Sequence, residues 1–146
     1  MAGIIREEMR VPGLPPPLSH YTDAVRFGDL LFISGCAPVD VAGRLVGEGD
    51  VAIQARQVLN HLGTVLRHAG TDFAGVLKVT VYLLNVDDRV AVNEVRKEFF
   101  GESRPASTLI AVRQLAVPGM LVEIDAVAGI SRRPDLAGPI DAAPVE

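Results

Sequence analysis

Hydrophobic positions recur along this chain in two periods, and the switches between them mark its elements. Val51, Ala55, Val58, Leu59, Leu62, Val65 and Leu66 repeat at helical spacing and form one apolar stripe. Asp50 stands just before the stripe, where a carboxylate accepts the unpaired amide hydrogens of a helix start. Gly70 stands just after it and suits the left-handed position past a helix end. A helix is therefore predicted over residues 50–69. A second helical pattern covers 87–100, with Val92, Val95 and Phe99 on its apolar face and Gly101 as its stop. Elsewhere the period is two. Val79, Val81 and Leu83 alternate with Lys78, Thr80 and Tyr82, which predicts a strand over 76–84. Residues 23–35 read as a β-hairpin, with Val25, Phe27, Leu31, Phe32 and Ile33 flanking a Gly28-Asp29 turn. Ala42-Gly43-Arg44 is a further turn. Residues 107–115 and 120–128 read as two more strands, joined through Pro118-Gly119.

Two helices can cover only one face of such a sheet. The other face then carries Lys78, Thr80, Tyr82, Glu123 and Asp125 among apolar side chains. It is too mixed for a core and too apolar for water, and self-association through it is the simplest solution. Residues 11–18 hold four prolines and form an extended lead-in. Residues 132–146 hold three prolines and little periodicity and read as a flexible tail, which leaves 1–131 as one domain.

Composition narrows the function. No apolar run approaches the roughly 20 residues of a membrane span, and Arg6, Glu7 and Glu8 stand where an export signal needs an apolar core. Cys36 is the sole cysteine, so no intramolecular disulfide forms, which fits a reducing cytoplasm. The net charge is −4, and no Lys/Arg cluster exceeds Arg132-Arg133. Nucleic-acid binding normally needs a basic face, so an RNA-cleaving role is disfavoured.

Five stretches resemble the reactive-imine deaminase family (RidA, or YjgF-like). They are Tyr21-Thr22-Asp23-Ala24-Val25, Leu31-Phe32-Ile33-Ser34-Gly35 and the strand Lys78-Val79-Thr80-Val81-Tyr82-Leu83. To these add Asn93-Glu94-Val95 with Phe99-Phe100, and Arg104-Pro105-Ala106-Ser107-Thr108 followed by Val122-Glu123-Ile124-Asp125-Ala126-Val127-Ala128. Together they span residues 19–128. The resemblance implies a chorismate-mutase-like α+β fold, with a mixed sheet carrying two helices on one face. It also implies a homotrimer around a central barrel, with ligand clefts between subunits. The implied reaction is hydrolysis of a small enamine or imine to a keto compound and ammonia, without cofactor or metal.

On that resemblance, Glu123 is the candidate that handles water and protons. Tyr21, Ser34 and Gly35 match pocket positions. Active relatives carry, after the Pro-Ala of the last motif, an arginine that grips the substrate carboxylate; here that residue is Ser107. A guanidinium makes a bidentate, charge-assisted grip and a hydroxyl makes one neutral hydrogen bond, a difference on the order of 1–2 kcal/mol or more. Arg104 and Arg113 are the candidate replacements. Arg113 lies some 20 Å along an extended strand from Ser107, so Arg104 is the nearer. The expectation is an altered ligand, without that carboxylate or with it held elsewhere. A non-catalytic, metabolite-binding trimer is the alternative. Among the remaining residues, His20, His61 and His68 read as surface histidines, with no metal site, and Cys36 reads as a buried thiol.

Overall fold

The computed structural model describes residues 3 and 5–130. The expected tail at 132–146 lies outside the described residues. The elements are β1 (Arg6–Met9), β2 (Ala24–Phe27), β3 (Leu30–Cys36), α1 (Val51–His68), β4 (Val76–Leu83), α2 (Arg89–Phe100), β5 (Ala106–Ala111) and β6 (Val122–Gly129). They form a six-stranded sheet in the order β1-β2-β3-β6-β4-β5, in which β4 and β5 run parallel and the other pairs antiparallel. This is a mixed α+β fold with both helices on one face.

Local chemistry explains the helices. The Asp50 carboxylate accepts from Ile53 N at 3.1 Å and caps α1, and Gly70 takes the left-handed turn at φ +81°. The α1 stripe buries Val58, Leu59, Leu62 and Leu66 completely against Leu31, Val81, Leu83 and Ile124 of the sheet. Each fully buried aliphatic side chain contributes about 1.5–3 kcal/mol, so this stripe sets the docking of α1. On α2, Val92 and Val95 are buried as expected. Phe100 is buried as well, while Phe99 is only half-buried; both meet Phe73 edge-on, at centroid distances of 5.0 and 5.5 Å.

Three expectations need correction. Residues 6–9 form an additional edge strand, β1, paired with β2; their charged run Arg6-Glu7-Glu8 hides the strand, because an edge strand faces water on both sides. The strand expected over 107–115 stops at Ala111, and β5 and β6 are not hairpin partners: β4 lies between them. The parallel β4–β5 pairing reaches across α2, and the long loop 112–121 returns the chain to the sheet centre. Gln54 holds that return. It is fully buried, its amide donates to Gly47 O (3.1 Å) and Gly119 O (3.0 Å), and its carbonyl accepts from Leu121 N (2.7 Å).

The face away from the helices carries Lys78, Thr80, Tyr82, Glu123 and Asp125, as alternation predicts. All five are half-buried within one protomer. Tyr82 donates its hydroxyl to Asp125 Oδ2 at 2.8 Å across the β4–β6 ladder. Phe32 joins this face with 47% of its surface exposed.

Candidate functional site

The β-bulge in β3 builds the first part of the site. Ile33 pairs with Ala126 and Cys36 with Ile124, so Ser34 and Gly35 together oppose the single residue Asp125. The extra residue turns the strand and brings Gly35 under Glu123. A Cβ added to Gly35 would fall on the Glu123 carboxylate, so only glycine admits that carboxylate here. Glu123 accepts no hydrogen bond among the described residues. Burial, and secondarily the neighbouring Asp125 charge, raise its pKa above the ordinary carboxylate range. A half-buried carboxylate with free oxygens and a raised pKa can take a proton from water and return it.

Tyr21, Ser34 and Gly35 line one cavity of about 70 Å³. The proline-rich segment 11–18 walls it, through Leu14 and Pro15. Asp23 pins that segment: it is buried, accepts from Val11 N at 2.7 Å and pairs with Arg10 at 3.1 Å. Ser34 donates its hydroxyl to Thr22 O at 2.6 Å, and the Tyr21 hydroxyl accepts from Leu18 N at 3.1 Å. Cys36 is buried at the cavity floor, where burial pushes its thiol up to about 12, so it is not a nucleophile at neutral pH. His61 departs from expectation. It lines the cavity, half-buried, with Nε2 2.6 Å from Val39 O and 3.2 Å from Gln57 Nε2. The apolar stripe alone concealed this, because the polar side of α1 turns toward the 37–39 segment. His20 and His68 are exposed.

Ser107 and Arg104 stand apart from this group. Ser107 pairs with Val79, hence lies on the helix-covered side, and its hydroxyl accepts from Arg96 Nη2 of α2 at 3.2 Å. Arg104 borders a second hollow of about 290 Å³ with Asn93, Arg96 and Lys97. Two strand spacings, about 10 Å, separate β5 from β6, and Ser107 and Glu123 point to opposite faces. One small ligand cannot touch both within a protomer. Sequence reading missed Arg96; the available signal was its i, i+3 relation to Asn93 on the helix that packs behind Ser107. Arg113 lies beyond the end of β5 and is exposed. No cluster of metal-ligating side chains occurs among the described residues, and no helix there is long and apolar enough to cross a membrane.

Comparison with known proteins bears on this arrangement. The family model described as Endoribonuclease L-PSP matches residues 13–130. A RutC family protein of Pyrococcus horikoshii is 38% identical over 124 residues, covering 85% of this chain and 98% of its own. The 2-iminobutanoate/2-iminopropanoate deaminase of Homo sapiens is 34% identical over 128 residues, covering 88% and 93%. Among solved structures, a Rid-family protein of Yersinia pestis aligns with TM-score 0.81 at 30% identity, over 86% of this chain and all of that one. E. coli TdcF, solved with bound serine, aligns with TM-score 0.78 at 29% identity, over 86% and 99%. With the sheet order, the two helices and the Gly35–Glu123 apposition in place, these similarities lead to one conclusion: the chain belongs to the RidA/YjgF family, the family of the Endoribonuclease L-PSP model.

Proposed function

We propose that this protein hydrolyses a small imine or enamine to a carbonyl compound and ammonia, in pockets formed between the subunits of a homotrimer. The apposition of Glu123 to Gly35 carries the reading. It sets a half-buried carboxylate, without a hydrogen-bond partner among the described residues, directly over a backbone position that carries no side chain, within a family that includes imine deaminases. In the reaction, Glu123 takes a proton from water as the oxygen attacks the imine carbon. Glu123 returns that proton to the nitrogen, giving a neutral carbinolamine; the carbinolamine hydroxyl then gives up its own proton through Glu123 to the amine, and C=O forms as the C–N bond breaks. The carbonyl compound and ammonia account for every atom. Tyr21, Ser34 and Gly35 shape the pocket around that carbon, and no metal or cofactor enters.

The trimer rests on two observations. The open sheet face exposes Phe32 (47%), Leu30 (39%) and Ile110 (41%), which water disfavours. Ser107 and Arg104 also lie too far from Glu123 to share a ligand with it inside one chain, whereas the β5 edge of one subunit can meet the β3 bulge of the next. A cytoplasmic location accords with the single, buried, unbridged Cys36.

Because Ser107 stands where active relatives carry arginine, a second reading is a trimer that binds its ligand without turnover. Ammonia release from 2-aminoacrylate generated in situ separates the two. The protein is expected to accelerate release, and Glu123→Gln to slow it by about 100-fold. Ligand held without release by the unaltered protein, across a panel of imines, would establish the binding reading instead.

A further inference from the structure

The hollow beside α2 holds a cation without a counter-charge. Arg96 is half-buried, and its guanidinium meets only neutral partners: Asn93 Oδ1 at 3.4 Å and Ser107 Oγ at 3.2 Å. No carboxylate pairs with it among the described residues. Arg104 on the same rim has no ion pair there either, whereas Lys97 is neutralised by Glu94 at 2.7 Å. Burial disfavours the charged guanidinium, and an anion in the hollow would offset that cost. A guanidinium has five N–H donors; two are used, and the rest remain for a ligand.

We propose that Arg96 is the carboxylate anchor of this protein, reaching from α2 over Ser107 to hold a singly charged, planar carboxylate in the hollow. The proposal builds on the imine-deaminase reading and makes its substrate a 2-imino acid rather than a neutral imine. Ser107 then has a definite part. Its hydroxyl accepts from Arg96 and so orients the guanidinium, and its small side chain leaves the space into which Arg96 reaches. Asn93, one helical turn earlier, steadies the other terminal nitrogen. The planar fork matches a carboxylate in two parallel hydrogen bonds, whereas a phosphate brings more charge than one buried guanidinium compensates. Arg104 is exposed and adds only a screened attraction at the rim.

Calorimetric titration of the full chain with 2-oxobutanoate, 2-butanone and inorganic phosphate tests this. The keto acid is expected to bind at least 10-fold more tightly than either other compound. Arg96→Gln is expected to weaken keto-acid binding at least 10-fold, and Arg104→Gln less than threefold. Arg96→Lys, which keeps the charge and loses the fork, should fall between the unaltered protein and Arg96→Gln, and it serves if the glutamine variant does not fold. Equal keto-acid affinity in Arg96→Gln and the unaltered protein overturns the assignment, as does equal affinity for the neutral ketone or for phosphate. The ammonia assay keeps the two ideas apart. Arg96-dependent keto-acid binding without ammonia release upholds the anchor and removes the deaminase reading. Ammonia release with Arg96-independent binding does the reverse.

Discussion

Burial raises the pKa of Glu123, so the folded chain holds that proton more tightly than the unfolded chain does. Ionisation at neutral pH therefore costs stability, and the cost fades as pH falls through the folded-state pKa toward the unfolded one. Glu123→Gln removes the cost. It is expected to raise Tm at pH 7 by about 1–4 °C, a gap that closes toward pH 4 in scanning calorimetry. The same shift governs turnover with the opposite sign. In the proposed reaction the base acts ionised, so kcat/KM is expected to fall as pH drops through the raised pKa of Glu123, and the residual rate of Glu123→Gln to lack that limb. A stabilised but slow variant marks a residue kept for chemistry. A purely structural strand carboxylate would leave the pH profile unchanged.

At the scale of elements, the sheet order depends on one polar side chain. Gln54 on α1 ties the 47 turn to the 119–121 return, which feeds β6 between β3 and β4. Gln54→Leu keeps the volume and removes three hydrogen bonds from a fully buried side chain to backbone groups that are half-buried (Gly47, Leu121) or exposed (Gly119), each worth about 0.5–1.5 kcal/mol. Urea unfolding is expected to show a loss of about 2–4 kcal/mol. By comparison, Asp50→Ala removes a single exposed cap bond, for about 1 kcal/mol. The apolar stripe of α1 was legible from spacing alone because burial follows a helix's own period. The role of Gln54 was not legible, since its partners lie 7, 65 and 67 residues away. The edge strand β1 was hidden for a related reason: its charged residues carry no burial signal, and only pairing to β2 makes it a strand.

At the scale of the whole molecule, the proposed trimer is motivated by the open sheet face and by the separation of Ser107 from Glu123. Phe32→Glu places a charge in the middle of the face expected to be shared. Analytical ultracentrifugation should then show a shift from three copies to one, with ammonia release lost although Phe32 touches neither cavity lining. A trimer that survives this substitution would locate the contacts elsewhere. The sequence by itself determined the two helices, the β2–β3 hairpin, the strand through Tyr82 and the polar face of the sheet; its motifs also singled out Tyr21, Ser34 and Gly35, which line one cavity, and Glu123, which meets Gly35 without lining that cavity. Each depends on local periodicity or on a short motif. Only the tertiary structure decided that β4 separates β5 from β6, that the β3 bulge lays Gly35 against Glu123, and that Ser107 turns away toward Arg96. Those features arise from pairings between residues far apart in the chain, and no period or motif along one segment encodes the side chain that meets it from another.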